Sequence, residues 1–177
     1  MTTKTSFTTN GIDKASDKDF VISRIFNAPR KDVFRAWTNI KQLNKWWGPR
    51  GSRAVCKGDI KPGGKYRFTM IAPEGDEYPM RGVISEVVPS MRLVYSVDLS
   101  EHPDKWFDAV LPGWRSLKNR PSINSTNIIT FEDSVGKTKV TVRTIFESAA
   151  ERDALFKFGL NDGWNQSLDK LADMLGT

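Results

Sequence analysis

The chain has 177 residues, with 27 Lys plus Arg against 21 Asp plus Glu, one His, one Cys and 38% apolar residues. A chain of this length buries about 70% of the surface its unfolded form exposes, which supports one real core and one domain. No apolar run approaches the ~18 residues a bilayer span needs, the lone Cys56 makes no internal disulfide, and one His with one Cys falls short of a four-ligand zinc site.

Met1–Asn10 is Thr-rich and has no apolar stretch of the export-signal kind. With an unpaired Cys, this makes the cytoplasm the expected compartment. Residues 1–17 are polar and aperiodic and read as a tail, leaving 18–177 as the domain. The first strand signal is Phe20–Phe26, with Phe20, Ile22 and Phe26 on one face and Val21, Ser23 and Ile25 on the other. Asn27-Ala28-Pro29 ends it. A helix is predicted over Arg30–Thr38, with Val33, Phe34 and Trp37 as its buried stripe, and a second over Ile40–Trp46, stopped by Gly48-Pro49.

Strand signals then follow in series at Arg53–Lys57, Lys65–Ile71, Arg81–Val88 and Met91–Val97, the last two joined at Pro89-Ser90. After an interruption, Asn127–Phe131 and Lys137–Phe146 flank a hairpin turn at Asp133–Gly136. In the latter strand Thr138, Val140, Val142, Thr144 and Phe146 share one face opposite Lys139, Thr141 and Arg143, the alternation of a sheet with one wet side. The period then changes. Ser148 and Glu151 have the spacing of a capping box, and Leu160, Trp164, Leu168, Leu171 and Leu175 recur on one helical face. A single helix of about 25 residues, roughly 38 Å long, would cross a whole small sheet. Two short helices, antiparallel strands and a long covering helix make the class α+β, a curved antiparallel sheet gripping one helix.

The segment 100–124 breaks the strand series with Trp106, Phe107, Val110, Leu111, Trp114 and Leu117, too aromatic for disorder. A connection this long is usually functional, and a lid or a contact with a second copy are the two expectations. His102, beside Pro103 in polar surroundings, reads as a surface imidazole, and Cys56 as a small core residue. Asp59–Gly64 is turn chemistry rather than a phosphate loop, and Glu147, Glu151 and Asp153 sit where a helix start favours carboxylates.

The charge is local. From Lys41 to Arg67 there are eight bases and one acid, a net +7, so the rest of the chain sums to −1. Trp46 and Trp47 lie within the stretch, yet the bases alternate with Gly and strand residues and no nucleic-acid motif is present. A solvated basic surface is the expectation, and neither nucleic acid nor membrane is the expected partner. The aromatics Trp37, Trp46, Trp47, Tyr66, Phe68, Tyr95 and Trp164 come from several elements that converge between sheet and helix, as a ligand cavity would require. Gly159 and Gly163 could admit close approach of backbone or ligand.

Taken together, Asn27-Ala28-Pro29-Arg30, Trp37-Thr38, Trp46–Gly51, Asp59 with Pro62-Gly63-Gly64, Gly82, Pro89 and Gly163-Trp164 with Leu168 and Leu171 resemble a known family. It comprises small bacterial proteins similar to the C-terminal domain of the heat-shock protein 90 ATPase activator, within the START-like helix-grip (SRPBCC) superfamily. The resemblance spans about residues 20–175 and implies a cavity between sheet and C-terminal helix. Relatives bind lipids, steroids, hormones or polyketides, and some cyclise or dehydrate them. By this match Tyr66, Phe68, Met70 and Trp164 are expected near the cavity, and with Trp37, Tyr95 and Trp114 they form the candidate ligand-binding set. No catalytic residue, metal or cofactor is expected. The expected function is a non-catalytic hold on a small hydrophobic or aromatic ligand, by a monomer or homodimer. A polyketide-cyclase-like enzyme is the first alternative. The second is a co-chaperone-like module using the basic 41–67 surface against an acidic chaperone partner, although the activator's separate N-terminal domain has no counterpart in this sequence.

Overall fold

A computed structural model describes residues 16–177, so the expected tail over 1–17 lies, but for Ser16 and Asp17, outside the described residues. β1 (Asp19–Phe26) is followed by α1 (Arg30–Thr38) and α2 (Ile40–Trp46), at the bounds the sequence predicts. Then come β2 (Arg53–Gly58), β3 (Lys65–Ile71), β4 (Glu77–Val88) and β5 (Arg92–Asp98). After α3 (Asp104–Val110) and a 3₁₀ turn at Trp114–Ser116, the chain continues through β6 (Asn124–Ser134), β7 (Lys137–Phe146), α4 (Ala149–Lys157) and α5 (Leu160–Leu175). The strands form one antiparallel sheet in the order β1-β7-β6-β5-β4-β3-β2. This is the α+β helix-grip architecture, with a curved sheet closing on the C-terminal helix.

The elements have local causes. Asn39 separates α1 from α2 by accepting, through its side chain, the Gln42 amide at 3.1 Å. Ser148 Oγ accepts the Glu151 amide at 3.1 Å and starts α4. The Pro62-Gly63-Gly64 turn is tied into β4 by Gly63 N to Ile84 O (2.7 Å) and Ile84 N to Gly64 O (2.8 Å). A side chain on Gly64 would meet the Asp59 carbonyl oxygen at 2.1 Å, so only Gly fits there. On β7 the predicted alternation holds: Thr138, Val140, Val142, Thr144 and Phe146 are buried. On β1 the second apolar face is open instead, with Val21 and Ile25 more than half exposed.

The predicted 25-residue helix is two helices. Gly159 takes φ +111°, a left-handed conformation that ends the chain's first helical direction and serves as N-cap of α5. The apolar period continues through Leu160, which is why spacing alone does not reveal the break. α5, 16 residues and about 24 Å long, buries Trp164, Ser167, Leu168 and Leu171. Its solvent flanks are pinned: Arg24 of β1 reaches Asp169 and Asn165, and Arg50 reaches Asp173 at 3.0 Å. Lys170 Nζ donates to the Gly48 carbonyl at 3.1 Å.

At the β6–β7 hairpin both turn residues have positive φ, Val135 at 49° and Gly136 at 76°, as a type I′ turn demands. A β-branched residue is a poor occupant of that region, and Val135 is fully exposed, gaining nothing from packing. Val135→Asn should therefore stabilise the protein by about 1 kcal/mol. That is a rise of roughly 2–4 °C in a thermal melt; a fall would show that the turn is held by something other than local backbone preference.

Candidate functional site

The register of the sheet builds one face of the site. Ile84 faces Tyr95, Tyr95 faces Asn127, Asn127 faces Thr144 and Thr144 faces Phe20, a row that crosses β4, β5, β6, β7 and β1. Opposite it lie Trp37 of α1, the Trp46-Trp47 pair at the end of α2, and Trp164 of α5. Trp37 stacks on Trp164 with ring centroids 6.0 Å apart and planes 19° from parallel. Trp47 meets Trp164 and Phe68 edge-on, each at 5.0 Å.

Two chambers remain between these layers. The inner one, about 30 Å³, is wholly apolar on its exposed lining and is bounded by Trp37, Cys56, Tyr66, Phe68 and Tyr95 among others. The outer one, about 320 Å³, is walled by Met70, Val97, Leu99, Trp106, Phe146, Leu155, Phe158 and Trp164. Its polar contributions are Ser125, Asn127, Thr144 and Ser167. Trp47 and Met80 border both chambers and form the partition.

Of the candidate ligand-binding residues, Trp37, Tyr66, Phe68 and Tyr95 thus line the inner chamber, and Met70 and Trp164 the outer. Trp114 lines neither. It is half-buried against Phe107 of α3, its Nε1 donating to Asp108 at 2.8 Å and its ring covered by Arg115 and Arg120. The helix at 104–110 turns Trp106 inward instead. Gly163 is open at the position its Cβ would take and borders the outer chamber. Sequence reasoning missed Asn127, Thr144 and Ser167, since a polar residue at an inward strand position has no signature of its own.

The titratable groups of the lining are all held neutral. Burial pushes the Cys56 thiol up to about 11. Burial, with Tyr95 nearby, pushes the Tyr66 phenol well up; Tyr66 Oη donates to the Ser96 carbonyl at 2.6 Å. Burial likewise raises Tyr95, partly opposed by the Asn127 carboxamide beside it. No Asp, Glu, Lys, Arg or His lines either chamber. Among the described residues, no group of three or more His, Cys, Asp or Glu could hold a metal ion. Nor is any helix there long and apolar enough to cross a membrane.

His102 is not the surface imidazole its neighbours predict. It is 8% exposed, wedged between Tyr78 and Trp106, with Nδ1 3.0 Å from the Pro79 carbonyl oxygen. The cause is the fold-back of the connection before α3 onto β4, which polar flanking residues do not announce. Burial lowers its pKa to about 4, while the bond to Pro79 acts weakly the other way. With the folded value below the unfolded one of about 6.5, His102 favours the fold above pH 6.5 and loses that contribution as pH falls towards 4. Urea titrations should show about 2 kcal/mol less stability at pH 5 than at pH 7 from this group. His102→Phe should flatten that slope, and an unchanged slope would assign it elsewhere.

The family model described as Activator of Hsp90 ATPase homolog 1-like protein matches residues 27–176. Among solved structures, the chain is similar to a protein from Nitrosomonas europaea: 22% identity over 92% of this chain and 97% of that one, TM-score 0.74. It is also similar to one from Mycobacterium smegmatis, at 23% identity over 90% and 92%, TM-score 0.72. A third, from Silicibacter pomeroyi and bearing the family's name, is 22% identical over 89% and 97%, TM-score 0.68. No curated protein matches.

Proposed function

The chain belongs to the Activator of Hsp90 ATPase homolog 1-like family, and from that premise we propose that it is a non-catalytic binding protein holding a small, largely apolar ligand between sheet and α5. The observation that carries this reading is the outer chamber of about 320 Å³, walled mainly by Met, Trp, Phe and Leu side chains. That volume and composition are those of small-molecule sites. A binder is favoured over the polyketide-cyclase-like alternative because Cys56, Tyr66 and Tyr95 stay protonated at neutral pH and supply no base. Segment 100–124 serves as the cover: Trp106 meets Phe158 at the α4–α5 junction, ring centroids 6.1 Å apart, and both border the chamber. A reduced, buried Cys56 suits a cytoplasmic setting.

A neutral fluorescent probe, N-phenyl-1-naphthylamine, tests the reading. It should brighten on binding. Gly163→Leu, which projects a side chain into open space beside the chamber, should abolish binding. It should also leave the melting temperature unchanged or raised, since Gly costs a helix interior about 1 kcal/mol. Probe binding that survives Gly163→Leu would move the site elsewhere.

One observation favours a second reading, the co-chaperone-like module. On the outer face of the sheet Lys57, Arg67 and Arg81 stand directly opposite one another across β2, β3 and β4, with Arg53 and Lys65 alongside. Glu101 bridges Arg67 and Arg81, which offsets part of their repulsion. An acidic protein surface would complement this face in a salt-sensitive contact. Stimulation of a chaperone ATPase at low salt, lost on Lys57→Glu with Lys65→Glu, would favour it; no stimulation would remove it.

A further inference from the structure

Two polar groups of the outer chamber are joined to each other. Thr144 Oγ1 donates to Asn127 Oδ1 at 2.5 Å, and both side chains are at least nine-tenths buried. Asn127 also stands directly opposite Tyr95, which lines the inner chamber. Tyr95, Asn127 and Thr144 are neighbours in the cross-strand row, which passes from one chamber to the other. An amide has two N–H donors and one oxygen acceptor. With the oxygen engaged by Thr144, the amide nitrogen is left to donate into the chamber that Asn127 lines. Burying such a group in an apolar site costs stability unless something accepts from it. Across the chamber, Ser167 gives its proton to the Gly163 carbonyl at 2.8 Å and so is left an acceptor.

We infer that the ligand is an uncharged, mainly apolar molecule carrying a carbonyl-type hydrogen-bond acceptor, which Asn127 receives while the apolar body fills the space beneath Trp106 and Trp164. The inference rests on the proposed binding role and narrows it. An ionised ligand is excluded by the lining, which offers no side chain of opposite charge, so a carboxylate or ammonium would be buried unpaired. A pure hydrocarbon is disfavoured for the opposite reason: it leaves the Asn127 donor without a partner. Specificity of this kind, set by one buried polar group, is sharper than that of apolar volume alone.

Calorimetric titration of the full chain with three matched compounds tests this: 2-acetylnaphthalene, 2-ethylnaphthalene and 2-naphthoate. The ketone should bind about ten-fold more tightly than the ethyl compound, and the carboxylate at least about a hundred-fold more weakly than the ketone. Asn127→Leu should erase the advantage of the ketone over the ethyl compound. Thr144→Val, which keeps shape and removes the hydroxyl that orients Asn127, should reduce it by a smaller factor, and carries the test if Asn127→Leu does not fold. Equal binding of ketone and ethyl compound, a preference for the carboxylate, or a ketone preference untouched by both variants would overturn the inference while leaving an apolar site intact. Failure of these compounds together with N-phenyl-1-naphthylamine would overturn the binding role itself.

Discussion

The packing of Trp37 against Trp164 is the contact on which the rest depends. It joins the first helix after β1 to the last helix of the chain, and it is reinforced by Trp46, Trp47 and Phe131 around Trp37. Large rigid rings contribute much buried area and hold their separation without side-chain rearrangement. Because the ring pair sets how closely α5 approaches the sheet, the chambers on either side of it follow from its size. A smaller pair would let the helix collapse onto β6 and β7. The indole Nε1 of Trp37 has no hydrogen-bond partner among the described residues although it is buried, so this position favours the ring for its volume at some cost to its polar atom.

Charge serves the same assembly. Arg50, inside the basic stretch, and Lys170 of α5 fasten the helix to the loop after α2, while Arg24 fastens its other flank to β1. Such exposed or half-exposed pairs contribute little individually, but they act at the two margins where the helix could slide. The lining of the two chambers, by contrast, carries no Asp, Glu, Lys, Arg or His. Exterior cations and interior neutrality are therefore separate features of one sheet, assigned by the alternation of residues along β2 and β3: Lys65 and Arg67 outward, Tyr66 and Phe68 inward.

Much of this was legible in the residues, and the gaps have physical reasons. α1 and α2 declare themselves through Pro29, Asn39 and Gly48-Pro49, and β7 through strict alternation, because those signals are local. The break at Gly159 was not legible, since the apolar spacing on its two sides remains compatible with one helix. That His102 is buried, and that Trp106 rather than Trp114 borders the chamber, was not legible because the fold-back of 100–124 is a tertiary event that no short-range pattern encodes. The polar row was invisible for a different reason: Asn127 and Thr144 acquire meaning only when the register sets them side by side.

An open sheet has two edges, and β2 is one of them, hydrogen-bonded along a single side. Its outer side is an unfilled template onto which another chain could add a strand. Here Asn44 of α2 accepts the Cys56 amide at 2.7 Å, occupying one of those backbone sites with a side chain. Arg53 and Lys57 stand exposed on the same strand. The stretch that gives the protein its net charge therefore also guards a margin, opposing the edge-to-edge pairing that begins many aggregates, whatever ligand the interior holds.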